Sequence, residues 1–190
     1  MKQMDNSHQG SRISERIEPP SLAKYFFALT STEKAPHTAA ESLLVEKLGA
    51  LDIRSEIFCF SDFSGYYDNE MGGRCWKYLI SLKDLLPVDR IVATKLVTEE
   101  LEEVFVRNAK EPRQRTVNID PGFLTGWQVV LSSAKNYSHR LYVGQGIYCE
   151  LTLLYREGNF QSLPWTYRDY VSSPVLDFLK RVRARYTEQV

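Results

Sequence analysis

The chain has 190 residues, of which 43% are hydrophobic and 25% are charged, and this composition fits one globular domain. Its 24 basic and 24 acidic residues give a formal charge of zero, which disfavours a general nucleic-acid binder because such proteins cluster Lys and Arg against phosphate. No apolar run approaches the roughly 20 residues that span a bilayer, so a cytoplasmic protein without a membrane partner is predicted.

The N-terminal segment is polar and ends in Pro19-Pro20, a composition that buries too little apolar surface to offset the entropy of ordering. It predicts a disordered tail over residues 1–20, followed by a single α+β domain over residues 21–190. The three cysteines, Cys59, Cys75 and Cys149, form no CxxC pair, which predicts free thiols rather than a zinc site built on cysteine.

In the first half of the chain, strand and helix patterns alternate. Residues 24–30 are apolar on both faces and predict an interior strand, and residues 38–48 have helical spacing and end at Gly49. Further strands are predicted over 54–60 and 75–82, on either side of a turn-rich segment. Pro87 is expected to open a long helix that extends to about Arg107.

The second half is mainly strand. Strands are predicted over residues 116–119, 126–133, 140–143 and 147–156. The first of these is expected to stop at Pro121-Gly122, a dipeptide typical of turns, and Gly144-Gln145-Gly146 indicates a hairpin between the last two. Gly158-Asn159 indicates another turn. An aromatic-rich loop over 164–173 leads to a terminal helix that begins at Pro174.

The order of these elements is βαββαβ, followed by more strands. This order predicts a ferredoxin-like α+β sandwich with an extended antiparallel sheet and a C-terminal helix.

Between Asp120 and Tyr170, unlike charges are concentrated on segments with strand patterns. Such a mixture is either a solvated ladder of ion pairs or the lining of a cleft. The candidates for acid–base chemistry are His139, Glu150 and Asp120. The candidates for ligand binding are Lys135, Arg140, Lys95, Glu70 and Tyr148.

Lys135, His139 and Arg140 place three donors within six residues. They could hold a phosphate or carboxylate, with His139 as a proton shuttle; the alternative is a solvated basic edge that protects the sheet from pairing. Glu150 is either a general base or the cross-strand ion-pair partner of Arg140. Asp120 is either a site carboxylate or the first residue of a turn.

On the long helix, Lys95, Glu99 and Glu102 are spaced i, i+4 and i+7 on one face. The spacing favours an exposed charged stripe with a Lys95–Glu99 ion pair; if that face covers the end of the sheet that carries His139, the same residues line a cleft. Glu70 lies in a turn-rich segment, where it is either a site residue or part of a hinge with Gly72-Gly73.

A metal site made of His139, Asp120 and Glu150 is disfavoured, because no local ligand spacing such as HExxH supports it. No phosphate-binding loop of the form GxxxxGKS/T is present, and Gly144-Gln145-Gly146 precedes a strand rather than a helix. No cofactor is predicted.

Several spaced motifs together resemble the bacterial domain of unknown function 4416 family over about residues 20–187. They are Glu70-Met71-Gly72, Lys95 with Thr98-Glu99, Asp120-Pro121-Gly122-Phe123-Leu124, Lys135, His139-Arg140-Leu141-Tyr142, the run from Gly146 to Leu153 and the run from Pro164 to Tyr170. The resemblance implies a single-domain cytosolic bacterial protein. Some members of the family are labelled GTP-binding, a label that the missing phosphate loop does not support.

The leading hypothesis is a cytosolic protein with a polar cleft that binds a small anionic ligand, such as a phosphate-bearing metabolite or a nucleotide. The sequence leaves open whether the protein also acts on that ligand. The alternative is a non-catalytic interaction module, in which the aromatic loop over 164–170 and the terminal helix dock a partner protein. Trp165, Tyr167 and Tyr170 of that loop could also stack a base or a sugar.

Overall fold

The computed structural model describes residues 18, 20–35, 37–108 and 114–190. The predicted tail over residues 1–20 lies outside the described residues, except for residues 18 and 20. The strands are β1 (Leu22–Ser31), β2 (Leu51–Arg54), β3 (Phe58–Cys59), β4 (Trp76–Pro87), β5 (Val106–Asn108), β6 (Gln114–Arg115), β7 (Val117–Leu124), β8 (Gln128–Ser133), β9 (Leu141–Gly144), β10 (Ile147–Arg156) and β11 (Asn159–Ser162). The helices are α1 (Thr38–Leu48), α2 (Asp68–Met71), α3 (Ile91–Glu103) and α4 (Ser173–Gln189).

Nine of these strands form one antiparallel sheet, in which seven follow one another in the order β11-β10-β8-β7-β1-β4-β2. Strand β3 pairs with β4 next to β2, and β9 pairs with β10 next to β11. Strands β5 and β6 form a separate two-stranded ladder. The large antiparallel sheet and the C-terminal helix of the predicted α+β class are confirmed.

Helices cover both faces of the sheet, because β1 is apolar on both sides. Tyr25, Phe27 and Leu29 pack with α1 and α3, whereas Phe26 and Ala28 pack with α4 on the other face. This alternation follows the two-residue period of a strand. None of the helices in the described part of the chain has both the length and the apolar character needed to cross a membrane.

Several predicted boundaries are confirmed. Helix α1 spans residues 38–48 and is followed by Gly49, which has a positive φ of 112°. The turn between β9 and β10 uses Gln145 and Gly146, both with positive φ, as a two-residue hairpin turn of this type requires. Helix α4 has Pro174 in its first turn.

Pro121-Gly122 was expected to be a turn, and this prediction is wrong. Strand β7 runs straight through the dipeptide and pairs with β1 over its whole length. A Cβ on Gly122 would lie 2.7 Å from the Val130 carbonyl oxygen and 2.8 Å from Phe26. The glycine is therefore needed for close packing within the sheet rather than for a turn.

Two other boundaries differ from the prediction. The strand expected over 54–60 is split, because the Ser55 hydroxyl accepts the backbone N–H of Leu79 and interrupts the ladder. The long helix ends at Glu103 rather than near Arg107. The chain then turns so that the Phe105 carbonyl accepts the N–H of Thr116, next to the β5–β6 ladder.

Strands β7 and β8 diverge, and the divergence makes room for polar side chains. They pair only over Gly122–Leu124. Earlier in β7, the N–H of Ile119 donates to Glu102 Oε1 of α3 at 2.6 Å rather than to a neighbouring strand. Pro121 has no N–H to offer on that same edge. We refer to the opening between residues 117–121 of β7 and the end of β8 as the β7–β8 gap.

Candidate functional site

The first group of polar side chains surrounds Glu150. This carboxylate lies on β10 with only 2% of its side chain exposed. Its Oε2 atom is 2.7 Å from Arg140 Nε and 3.0 Å from His139 Nε2. Because a carboxylate only accepts hydrogen bonds, both nitrogens donate. The other oxygen, Oε1, is buried and has no hydrogen-bond partner among the described residues.

Arg140 is held in one position by four hydrogen bonds. Besides the Nε bond to Glu150, Nη1 donates to Ser133 Oγ at 2.9 Å and to the Lys135 carbonyl at 2.7 Å, and Nη2 donates to Tyr167 OH at 2.6 Å. Burial alone would lower the pKa of Arg140, but the bonds to Glu150 and Tyr167 raise it. The guanidinium is therefore charged and fixed.

Aromatic side chains surround these charges. The His139 ring stacks on Trp165 with centroids 5.5 Å apart and an interplanar angle of 10°, and Tyr137 meets His139 edge-on at 5.3 Å. Lys135 donates to the Tyr66 hydroxyl and lies 4.6 Å from the centre of that ring. We call the set of Ser133, Lys135, His139, Arg140, Glu150 and Tyr167 the Glu150 cluster.

The second group occupies the β7–β8 gap and includes Lys95 and Asp120. Lys95 is 4% exposed, and its Nζ lies 2.8 Å from Glu99 Oε1 and 3.4 Å from Asp120 Oδ1. Asn118 donates to the second oxygen of Asp120 at 2.6 Å. Burial would raise the pKa of Asp120, but Lys95, Lys77 and Asn118 together lower it. Asp120 is therefore an anion.

Glu102 completes the second group. Its Oε1 accepts the Ile119 N–H, and its Oε2 pairs with Arg115, which also contacts Glu70 Oε1 at 2.6 Å. Burial raises the pKa of Glu102 to about 7, against the opposing effects of Arg115 and Lys95. We call the set of Glu70, Lys95, Glu99, Glu102, Arg115, Asn118 and Asp120 the Glu102 cluster.

The predicted ion pair between Lys95 and Glu99 is confirmed, but the exposed stripe is wrong. Lys95 and Glu102 are buried, and only Glu99 reaches solvent to an appreciable extent. The reason is that the β7–β8 gap receives this face of α3. The predicted ion pair of Arg140 and Glu150 is confirmed as well, although Arg140 lies just before β9 rather than on a strand.

Two adjacent tyrosines link the clusters. Tyr66 contacts Lys135 of the Glu150 cluster, and the Tyr67 ring lies 5.4 Å from the guanidinium of Arg115 in the Glu102 cluster. The two rings meet edge-on at 4.9 Å. Burial, Glu150 and Asp120 raise the pKa of Tyr167, against the opposing effect of Arg140.

The structure thus brings together the side chains of His139, Arg140 and Glu150, with Lys135 joined to them through its backbone carbonyl and its ammonium on Tyr66. It places Asp120, Lys95 and Glu70 in the second cluster. Tyr148 lies opposite Ser133 on β10, with its ring 5.3 Å from Tyr142. Two cavities lie elsewhere. One of about 310 Å³ lies between Arg54 and α4, and one of about 680 Å³ lies beside α1 and β2. Within the described ranges, no three His, Cys, Asp or Glu side chains are grouped to hold a metal ion.

Sequence reasoning missed the buried ion pair between Lys77 and Asp169, whose atoms Nζ and Oδ2 are 2.7 Å apart. Lys77 lies on β4 and is buried, with its ammonium 4.8 Å from the Phe60 ring and 5.1 Å from the Tyr170 ring. Arg115 and Tyr67 were also missed. A single charge inside the apolar run of residues 76–82 was the available signal for Lys77.

Comparison with known proteins gives one match. A family model described as a domain of unknown function, DUF4416, matches residues 21–186. Neither the search of curated proteins nor the search of solved structures finds a match.

Proposed function

The chain belongs to the DUF4416 family, and on that premise we propose that it binds a small anionic ligand, a phosphate or a carboxylate, at Lys135, His139 and Arg140. The observation that carries the proposal is the buried Glu150 carboxylate, which fixes Arg140 and His139 side by side through one oxygen atom. A pre-positioned set of donors is what an anion site requires, because little ordering entropy remains to be lost on binding.

Spare donors remain in this group. A guanidinium has five N–H groups, and four of those on Arg140 are used within the described structure. The Lys135 ammonium has three N–H groups and shares one with Tyr66. The fifth N–H of Arg140 and the remaining two of Lys135 support direct contacts with an anion.

The carboxylates divide the remaining roles. Glu150 acts as a positioning residue, since one oxygen is occupied by two donors and the other is buried. Asp120 is the better candidate for a carboxylate that contacts the ligand, because 33% of its side chain is exposed. Its pKa is lowered, which makes it a weak base, so we assign it an electrostatic contact with the ligand rather than proton abstraction.

The test is a titration of the protein with sodium phosphate and with sodium acetate. Binding is detected as a change in the temperature of thermal unfolding and as shifted signals in two-dimensional NMR spectra. We expect at least one anion to raise the melting temperature, and Lys135→Gln to weaken its binding about tenfold, which corresponds to a lost charge-assisted hydrogen bond. Lys180→Gln is the matched control, because Lys180 is exposed on α4. Equal weakening in both variants, or no response to either anion, would refute the proposal.

Glu150→Gln tests the positioning role separately. The variant keeps the shape of the side chain but removes the charge that holds Arg140, so anion binding should weaken although Glu150 itself touches no ligand. Unchanged affinity in a folded Glu150→Gln variant would show that the Arg140 position does not depend on this carboxylate.

The alternative function, docking of a partner protein through the aromatic loop and the terminal helix, receives less support. Trp165 Nε1 donates to the Leu151 carbonyl at 2.7 Å, Thr166 Oγ1 donates to the Thr152 carbonyl at 2.6 Å, and Tyr170 is buried. The apolar face of α4 is used in the core. The bacterial and cytoplasmic setting stays a prediction.

We also propose that the central part of the fold is ferredoxin-like. The elements β1, α1, β2, β4, α3 and β7 follow the βαββαβ order, and their strands neighbour one another as β7-β1-β4-β2, all antiparallel. Helices α1 and α3 share one core cluster on the same face. In this proposal β8–β11 extend the sheet, and α4 covers the face that a two-layer sandwich leaves open.

A further inference from the structure

We infer that the ligand of the proposed anion site carries a planar ring next to its charged group. The inference rests on the proposed function and names the class of ligand. The aromatic side chains Tyr66, Tyr137, Trp165 and Tyr167 are all exposed by more than a third. They come from three separate loops, yet all four lie against the basic residues of the Glu150 cluster.

The central aromatic contact is fixed in advance. The indole of Trp165 is anchored by its bond to the Leu151 carbonyl, and the His139 ring lies parallel to it. His139 is itself held by Glu150. Large exposed rings that are held in one orientation offer a stacking surface with little loss of rotamer entropy.

The charges next to the rings define the rest of the ligand. The Tyr66 hydroxyl accepts a hydrogen bond from Lys135 and the Tyr167 hydroxyl accepts one from Arg140, and Arg140 also donates to the Lys135 carbonyl. Each of these phenols therefore lies next to a cation. A ring alone would leave the spare N–H groups of these cations without an acceptor, and an anion alone would leave the aromatic faces in water. A ring that bears a phosphate or carboxylate satisfies both.

Three probes separate the contribution of the ring from that of the charge: inorganic phosphate, methyl phosphate and phenyl phosphate. We expect phenyl phosphate to bind about tenfold more tightly than methyl phosphate, a ratio within the range of one stacked ring on an aromatic side chain. Affinities are measured by calorimetry, and the contact is located by NMR signals of the Trp165 indole N–H.

The variants use two exposed tryptophans. Trp165→Leu should abolish the preference, so that phenyl phosphate and methyl phosphate bind this variant with equal affinity. Trp127→Leu is the control, because Trp127 is also exposed, at 77%. It lies just before the first residue of β8, whereas the Glu150 cluster lies at the last residue of that strand, so this variant should keep the preference. Tyr137→Ser, at a second exposed ring, should reduce the preference and provides a test if Trp165→Leu does not fold.

Two results would overturn the inference, and they are distinguishable from failure of the anion site. Equal affinities for phenyl and methyl phosphate, both weakened by Lys135→Gln, would leave the anion site standing without a ring-binding surface. A preference that survives both Trp165→Leu and Tyr137→Ser would place the ring elsewhere. If no phosphate compound binds, the ring-bearing phosphate ligand and phosphate binding at the site are both refuted.

Discussion

At the scale of single residues, the buried charges find their partners far along the chain. Lys77 and Asp169 are 92 residues apart, and Lys24 reaches across 165 residues to the amide of Gln189 while it also pairs with Asp52. An ammonium that is taken out of water needs such partners, since an unpaired buried charge costs several kcal/mol. These pairs connect elements that share no local sequence.

Asp169→Asn should destabilise the protein by about 3–5 kcal/mol, because it leaves the Lys77 ammonium buried without a counter-charge. Urea unfolding at neutral pH measures this loss. The matched control is Asp177→Asn, which removes an exposed carboxylate that is 3.8 Å from Lys180 and should change stability by less than about 1 kcal/mol.

The double variant Lys77→Met with Asp169→Leu removes both charges of the pair. It should therefore recover most of the stability that Asp169→Asn loses. A single variant as stable as the wild-type protein would contradict the assignment of Asp169 as the partner that the buried lysine requires.

Sequence reasoning reached only part of the site at this scale. The Arg140–Glu150 pair was predictable, because a three-residue connection over Gly144-Gln145-Gly146 places Arg140 opposite Glu150. In the structure, a two-residue turn and a register shift between Ile147 and Tyr148 give the same alignment. The burial of Glu102 was not, since its helical spacing is the same for an exposed stripe and for a buried one. What decides between them is Arg115 and the Ile119 N–H, which belong to other segments.

At the scale of elements, the crowded crossing of β7 with its neighbours depends on one glycine. Gly122→Ala should destabilise the protein by about 1–3 kcal/mol, because the new Cβ would be 2.7 Å from Val130 O and from Leu131 Cδ2. Thermal and urea unfolding measure the effect. Gly126→Ala is the control, since the nearest atom to its Cβ would be 3.9 Å away on Tyr186.

A Gly122→Ala variant with unchanged stability would mean that β7 and β8 can separate at no cost.

The wrong turn prediction has the same origin as this expected loss. Pro and Gly are frequent in turns because of their backbone preferences, but here Pro121 occupies an edge that needs no N–H and Gly122 makes room for Phe26. Sequence alone does not distinguish conformational from packing reasons for a glycine.

Element boundaries were predictable where the backbone itself decides them. Gly49 after α1, Pro174 in α4 and the turn between β9 and β10 are such positions. They were not predictable where a distant partner decides, as at Ser55, whose hydroxyl binds the N–H of Leu79 on a neighbouring strand.

At the scale of the whole molecule, the Glu102 cluster links stability to pH. The pKa of Glu102 rises from 4.5 to about 7 on folding, so the folded state holds a proton that the unfolded state releases between these values. Stability from this group is therefore complete below about pH 4.5 and is lost as the pH rises to about 7. The loss is on the order of 3 kcal/mol.

Urea unfolding of the wild-type protein and of Glu102→Gln, at intervals from pH 5 to pH 8, measures this contribution. The variant should lack the decline between pH 5 and 7, whereas Glu100→Gln, which changes an exposed residue of the same helix, should keep it. Asp120 acts in a different window, because its lowered pKa affects stability only below its ordinary value of 3.8. Parallel pH profiles for wild type and Glu102→Gln would contradict the prediction.

Strand β1 lies in the middle of the sheet, but it is synthesised before the strands that pair with it. It is the earliest of the described strands to leave the ribosome, yet its neighbours are β4 and β7, and its last pairing joins Lys24 to Leu124. At the usual 5–20 residues per second, the intervening residues take roughly 5–20 s to make. During that interval the apolar β1 lacks its pairing with the whole of β7. The centre of the sheet is therefore synthesised first, but its pairing is completed late.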